Sequence, residues 1–137
     1  MSGRYLLDTN IVIGLLGNNK SIVEKIETFE EVYIPVTVIG ELYFGAFKSQ
    51  KVEKNLESIS NLLNIANVLD DNAETAKIYG EIKNSLKQKG KPIPENDIWI
   101  AAIAKYNALT LITNDEHFKE ISDLSVESLC AAVQKLL

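Results

Sequence analysis

The sequence predicts an α/β fold: a mainly parallel sheet with helices on both faces. Three observations carry that prediction. Short apolar runs alternate with longer stretches of helical periodicity along the whole chain. The connections between them are short, so consecutive elements pack as βα units. Two of the apolar runs, Tyr5-Leu6-Leu7 and Leu109-Thr110-Leu111-Ile112-Thr113, end abruptly in polar residues that include an acid. That pattern belongs to buried strands of a parallel sheet, where ligand sites lie beyond the carboxyl ends of the strands.

The elements follow in order. After the first strand, which Asp8 ends, Thr9-Asn10 offers an N-cap for a short helix through Leu16, closed by Gly17-Asn18-Asn19. Lys20 to Phe29 reads as a second helix, and Val32-Tyr33-Ile34 as a second strand stopped by Pro35. Val36 to Phe47 is apolar on several faces, so it is expected to be well buried, with Glu41 interrupting it. Val52 to Leu63 is amphipathic, with Leu56, Ile59 and Leu63 at helical spacing. Ile65 to Leu69 is a third strand, closed by Asp70-Asp71-Asn72. A long helix from Ala73 to about Lys89 shows an inward stripe of Ala76, Tyr79, Ile82 and Leu86. A Pro- and Gly-containing loop precedes the most apolar helix, Asn96 to Tyr106, and Asn107 stands where a left-handed cap is expected. The strand through Leu111, a last short strand near Leu124-Ser125-Val126 and a small C-terminal helix complete the chain. No repeat, low-complexity tract or linker divides residues 1–137, so one domain is expected.

Bulk properties narrow the function. At 137 residues, 46% hydrophobic and 24% charged, this is the composition of a globular protein. Its net charge of -5 excludes a broad basic field of the kind a plain DNA- or RNA-binding module uses. It does not exclude a nuclease, because bound cations invert the local sign at an acidic site. The one cysteine, Cys130, has no intrachain partner, which suits a reducing cytoplasm. Asp8 and Asn10 break the N-terminal apolar stretch, so neither a signal peptide nor a membrane span is expected.

Four acids stand out. Asp8 and Asp115 follow strands, which brings them to one edge of a parallel sheet. Glu41 lies within an otherwise apolar helix, and Asp97 is in the first turn of the most apolar one. Carboxylates in such surroundings are costly unless paired, and several together need a counter-ion. Mg²⁺ or Mn²⁺ prefers carboxylate and water oxygens. A cation so held activates water and offsets charge developing on a phosphoryl group. Thr9, Asn10, Thr113 and Asn114 are natural supports for such ligands. Each acid alone has a plainer reading: Asp97 as a helix-dipole charge, Asp8 and Asp115 as caps, Glu41 as an ion-pair partner of Lys48. Their joint arrangement favours the metal.

These residues, with their spacing, resemble PIN-domain nucleases, and within them the VapC-type toxins of prokaryotic toxin–antitoxin pairs. The matching segments are Leu7-Asp8-Thr9-Asn10-Ile11 and Pro35 through Leu42. The others are Asp97 followed by Ile100-Ala101-Ala102, and Leu111 through Asp115 followed by Phe118. The resemblance implies a PIN-like three-layer α/β/α sandwich and Mg²⁺- or Mn²⁺-dependent endoribonuclease activity on RNA. It also implies homodimerisation and inhibition by a cognate antitoxin. Asp8, Glu41, Asp97 and Asp115 take the places of the family's acids, with Asp8, Asp97 and Asp115 as metal ligands and Glu41 as ligand or orienter of the attacking water. Two departures are visible: Asn114 where many members are basic, and Asn107 where many have Gly. Glu116 adjoins Asp115, so the choice of the fourth acid rests on the Thr-x-Asp-x-x-Phe register.

Other residues are given lesser roles. His117, the only histidine, reads as a surface loop residue, and Cys130, Trp99, Tyr43, Phe44 and Phe47 as packing. Lys87 and Lys91, in the main basic run, and Lys48 are candidate RNA-phosphate contacts. Two rivals stand beside the nuclease. One is phosphoryl transfer through an aspartyl-phosphate at Asp8, for which Asn10 replaces the usual second acid. The other is a PIN-like interaction module without activity.

Overall fold

The computed structural model describes residues 3–129. The expected C-terminal helix and Cys130 lie outside the described residues. Among the described residues the sheet has five strands, all parallel, in the order β3-β2-β1-β4-β5. These are β1 (Arg4–Leu7), β2 (Glu31–Pro35), β3 (Asn67–Leu69), β4 (Thr110–Ile112) and β5 (Val126–Glu127). Helices α1 (Thr9–Leu16) and α2 (Lys20–Ile26) join β1 to β2, and α3 (Val36–Phe47) and α4 (Val52–Ile65) join β2 to β3. Helices α5 (Ala73–Lys89) and α6 (Glu95–Tyr106) lead back to β4, and a 3₁₀ turn over Glu116–Glu120 leads to β5.

The connections fix the layers. From β1 to β2 to β3 the chain steps in one direction, so right-handed crossovers lay α1 to α4 on one face. The return from β3 to β4 lays α5 and α6 on the other. The direction reverses between β1 and β4, which makes that gap the topological switch point. Both strands there are short and apolar because they are covered twice: Leu6, Leu7, Leu111 and Ile112 are fully buried. Helix α6 presses against them with Ile98, Ile100, Ala101, Ala102, Ile103 and Ala104, all buried, as its small and branched residues imply.

Several boundaries differ from expectation for local reasons. Of the two N-caps the sequence offers for α1, Thr9-Asn10 and Asp8, it is Asp8 that serves. Helix α4 continues to Ile65, leaving three residues for β3. In α5 the inward position is Thr75, fully buried, while Ala76 is exposed. Thr75 is spent on a capping box, its N–H and hydroxyl reciprocating Asn72 at 2.9 and 2.7 Å. Helix α3 is not buried all round: Phe44 and Phe47 are 66% and 64% exposed. The last strand is shifted to Val126–Glu127. No helix among the described residues is long and apolar enough to cross a membrane.

Asn107 is not the left-handed residue. It has φ -93°, its side-chain amide donates to the Ile103 carbonyl at 2.8 Å, and the reversal falls on Ala108, at φ 53°. The N–H of Leu109 then reaches the Ala104 carbonyl at 2.9 Å and that of Ala108 reaches Lys105 at 3.2 Å, a Schellman closure. Helix α5 ends the same way, but with Gly90 at φ 69°. A Cβ in this region is strained by roughly 1–2 kcal/mol, while glycine loses more backbone entropy on folding. Ala108→Gly is therefore expected to raise stability by about 0.5–1 kcal/mol, read as a higher urea midpoint at unchanged m-value.

Candidate active site

Sheet register brings the first two site residues together. Leu7 pairs with Ile112, and the ladder runs one bond further, from the Asp8 N–H to the Ile112 carbonyl at 3.0 Å. Asp8 and Thr113 thus leave adjacent strands side by side, both buried. The Thr113 hydroxyl donates to Asp8 Oδ2 at 2.6 Å, and its oxygen accepts from the Asp115 N–H at 3.0 Å. The other Asp8 oxygen, Oδ1, accepts from the Thr9 N–H at 2.8 Å. The Asn10 amide is 3.4 Å from Oδ2, and Asn10 Oδ1 accepts weakly from the Asn114 N–H at 3.4 Å. All four supports predicted from the sequence therefore touch Asp8 or one another.

Asp115 follows at the mouth of β4, where it caps the 3₁₀ turn by accepting from the His117 N–H at 2.9 Å. That turn is anchored by Phe118, which has no exposed surface. Burying Phe118 folds His117 back over the acids: its Nδ1 is 3.0 Å from Asp115 Oδ1 and 3.2 Å from Asp97 Oδ2. Asp97 arrives from the first turn of α6. One donor atom from each of Asp97, Asp115 and His117 falls within 4.8 Å of the others. Asp8 is close enough for its charge to act on Asp97.

Glu41 joins through a hydroxyl. Thr9 Oγ1 donates to Glu41 Oε2 at 3.0 Å, linking α3 to the start of α1. The alternative of an ion pair with Lys48 is not met; the Lys48 ammonium sits 4.7 Å from the centre of the Phe44 ring. The other proposed basic contacts are elsewhere. Lys91 is 3.4 Å from Glu120, and Lys87 lines a cleft with Lys83, Pro92, Ile93 and Glu95 beside the start of α6. Trp99 is used in packing, stacked on Tyr79 at 4.1 Å between centroids.

His117 is a surface residue, as the sequence suggested, but its ring turns onto two of the acids. It is half-exposed, as a loop histidine should be. The available signal was its position between an acid that ends a strand and an aromatic that must be buried.

The electrostatics follow from burial. Desolvation pushes the Asp97 carboxyl up to about 6; the His117 contact lowers it, and Asp8 and Asp115 raise it. Burial also raises Asp8, against the hydrogen bonds of Thr113 and Thr9, with Asp115 adding to the rise. The donors that converge are carboxylate oxygens of Asp97 and Asp115 beside Nδ1 of His117, with the buried Asp8 carboxylate near enough for its charge to act on Asp97. That donor set fits a hard divalent cation.

Folded Asp97 holds its proton more tightly than the unfolded chain does, so stability falls as pH rises from about 4 to about 6 and stays reduced above. With chelator present, Asp97→Asn should be more stable than the parent by roughly 1–3 kcal/mol at neutral pH. The gain should vanish towards pH 4. Urea denaturation at both pH values checks this, and an equal gain at each would contradict it.

Comparison with known proteins agrees with this architecture. Residues 5–124 match the PIN domain family. Ribonuclease VapC1 of Haemophilus influenzae (strain R2866) is 38% identical over 125 residues, spanning 88% of this chain and 93% of its own. The tRNA(fMet)-specific endonuclease VapC of Shigella flexneri is 32% identical, spanning 90% of this chain and 96% of its own. The crystal structure of VapBC2 from Rickettsia felis bound to a DNA fragment from its promoter aligns with a TM-score of 0.85 at 32% identity, covering 90% of this chain and 97% of that one. A parallel α/β protein with acids at its switch point is the class that fold and site define. The chain belongs to the PIN-domain family, among the VapC ribonucleases.

Proposed function

We propose that the chain is a divalent-cation-dependent endoribonuclease, acting as a single domain in the cytoplasm and restrained there by a cognate antitoxin. The observation that carries this reading is the convergence of Asp97 and Asp115 beside the β1–β4 switch point, with Asp8 joined to Asp115 through Thr113 and acting by its charge on Asp97. These three would hold Mg²⁺ or Mn²⁺. When bound, such an ion lowers the pKa of water and offsets charge developing at phosphorus.

The chain's own groups do the positioning. The Thr113 hydroxyl and Thr9 N–H hold the Asp8 carboxylate in one orientation. Thr9, through its hydroxyl, fixes Glu41, which is half-buried and orients the attacking water. Asp8 is 4% exposed with both oxygens accepting hydrogen bonds, which suits a ligand and not an attacking nucleophile. That weighs against the aspartyl-phosphate alternative. Single-stranded or looped RNA is the substrate class, since splayed bases let the backbone reach a recessed site. The relative named for tRNA(fMet) makes tRNA the first substrate to try. Lys48, Lys87 and Lys91 are proposed phosphate contacts, although Lys91 must leave Glu120 to serve.

The antitoxin is placed on an apolar surface. Ile13 is exposed at a groove lined also by Leu16, Leu42 and Ile59, between α1, α3 and α4, and Phe44 and Phe47 are exposed elsewhere on α3. Exposed apolar area of this kind marks a protein partner. Glu41 also lines the groove, so an occupant there lies next to the site. A homodimer is part of the same reading, tested by the solution mass of the chain without its partner.

Two outcomes are expected. Asp8→Asn should lower RNA cleavage by at least about a hundredfold while circular dichroism stays unchanged, because several kcal/mol of charge stabilisation depend on the ligand. Undiminished cleavage would refute the site. Phe44→Glu should leave cleavage intact and weaken antitoxin binding by roughly thirtyfold, about 2 kcal/mol, as measured by titration calorimetry.

A further inference from the structure

Three features outside the acids invite a role: the Tyr79–Trp99 stack, the Lys83–Lys87 cleft and His117. The stack presses one ring on the other between α5 and α6, with Lys83 over Tyr79 and bonded to Glu95. That is a closed structural cluster. The cleft has cations but no second feature that points to a ligand. His117 is different, because it reaches into the site itself.

We infer that His117 is a ligand of the bound cation, through Nδ1, and that it biases the site towards Mn²⁺ and later transition ions over Mg²⁺. The inference rests on the metal-site reading proposed above and adds a nitrogen to its carboxylates. Nδ1 lies 3.0 Å from Asp115 Oδ1 and 3.2 Å from Asp97 Oδ2. Adjacent donors of an octahedral ion with bonds of about 2.1 Å are about 3.0 Å apart, so the three atoms already have the mutual spacing of neighbouring ligands. One nitrogen cannot direct a single hydrogen at both carboxylates with good geometry, whereas its lone pair and theirs converge naturally on a cation. The backbone holds this arrangement. Asp115 caps the turn by accepting from the His117 N–H, and buried Phe118 prevents the turn from swinging away.

The chemistry of the donor then sets the preference. Mg²⁺ takes oxygen ligands and water almost exclusively, while imidazole suits first-row transition ions in rising order from Mn²⁺. A half-exposed imidazole is also accessible to an incoming hydrated ion.

The test uses the full-length chain with Mn²⁺ and Mg²⁺ as probes and does not depend on cleavage. Electron spin echo spectra of the Mn²⁺ complex should show modulation from a directly bound imidazole nitrogen, absent in His117→Gln. Calorimetry should show that His117→Gln weakens Mn²⁺ binding by roughly tenfold or more while Mg²⁺ binding changes little. His117→Asn should behave the same way, and neither change at this exposed position should disturb the fold. Mn²⁺ binding without nitrogen modulation, or an unaltered ratio of Mn²⁺ to Mg²⁺ affinity in both variants, overturns the role of His117 and leaves the carboxylate site standing. Failure of the unaltered chain to bind Mn²⁺ at all overturns the metal site and this inference together.

Discussion

The hydrogen bond from Thr113 to Asp8, 2.6 Å long and fully enclosed, is the interaction on which the site depends. A carboxylate at 4% exposure is costly to keep charged, and burial does raise the Asp8 pKa. Thr113 and the Thr9 N–H offset part of that cost. They can do so only because β1 and β4 are adjacent, parallel and in the register that pairs Leu7 with Ile112. The same hydroxyl accepts from the Asp115 N–H, so one side chain sets the relation between two acids. A change in register by one residue would turn Thr113 away from Asp8.

Around that bond the molecule divides its surface chemistry. The carboxyl edge of the sheet concentrates acids that repel one another, held by hydroxyls, backbone N–H groups and one imidazole. The flank of α3 is apolar and exposed. Helix α3 belongs to both regions, since Glu41 bonds to Thr9 and also lines the groove between α1, α3 and α4, while Phe44 and Phe47 are exposed on the same helix. A protein lying on that groove has the site within reach without any conformational relay.

Much of this was legible in the sequence because strand ends and helix starts leave sharp chemical signals. The polar stops at Asp8 and Asp115, the misplaced acid Glu41 and the small residues of α6 each pointed to their position. What escaped has identifiable causes. For Asp8 the cap and the candidate ligand were set against each other as alternatives, whereas one side chain is the cap and also faces the acids. Apolar residues on all sides of α3 suggested burial, but the sheet and neighbouring helices cover only the side of Val38, Ile39, Leu42 and Ala46. Asn is the usual non-glycine residue in left-handed caps, yet Asn107 bonds back to Ile103 and passes the reversal to Ala108. His117 was set aside because a metal-activated water needs no imidazole base; its contact with the acids follows from the burial of Phe118, a tertiary fact.

The chain order of the site has a consequence for biosynthesis. Asp8 is made first, but Thr113 and Asp115 follow more than a hundred residues later, after helices α1 to α6. The strand that carries them is inserted between β1 and β5, so its pairing is among the most non-local in the fold. A growing polypeptide that has not yet released β4 from the ribosome lacks both partners of Asp8 from that strand and cannot assemble the acid cluster. The translation machinery that makes this protein therefore faces a finished acid cluster only once β4 has emerged.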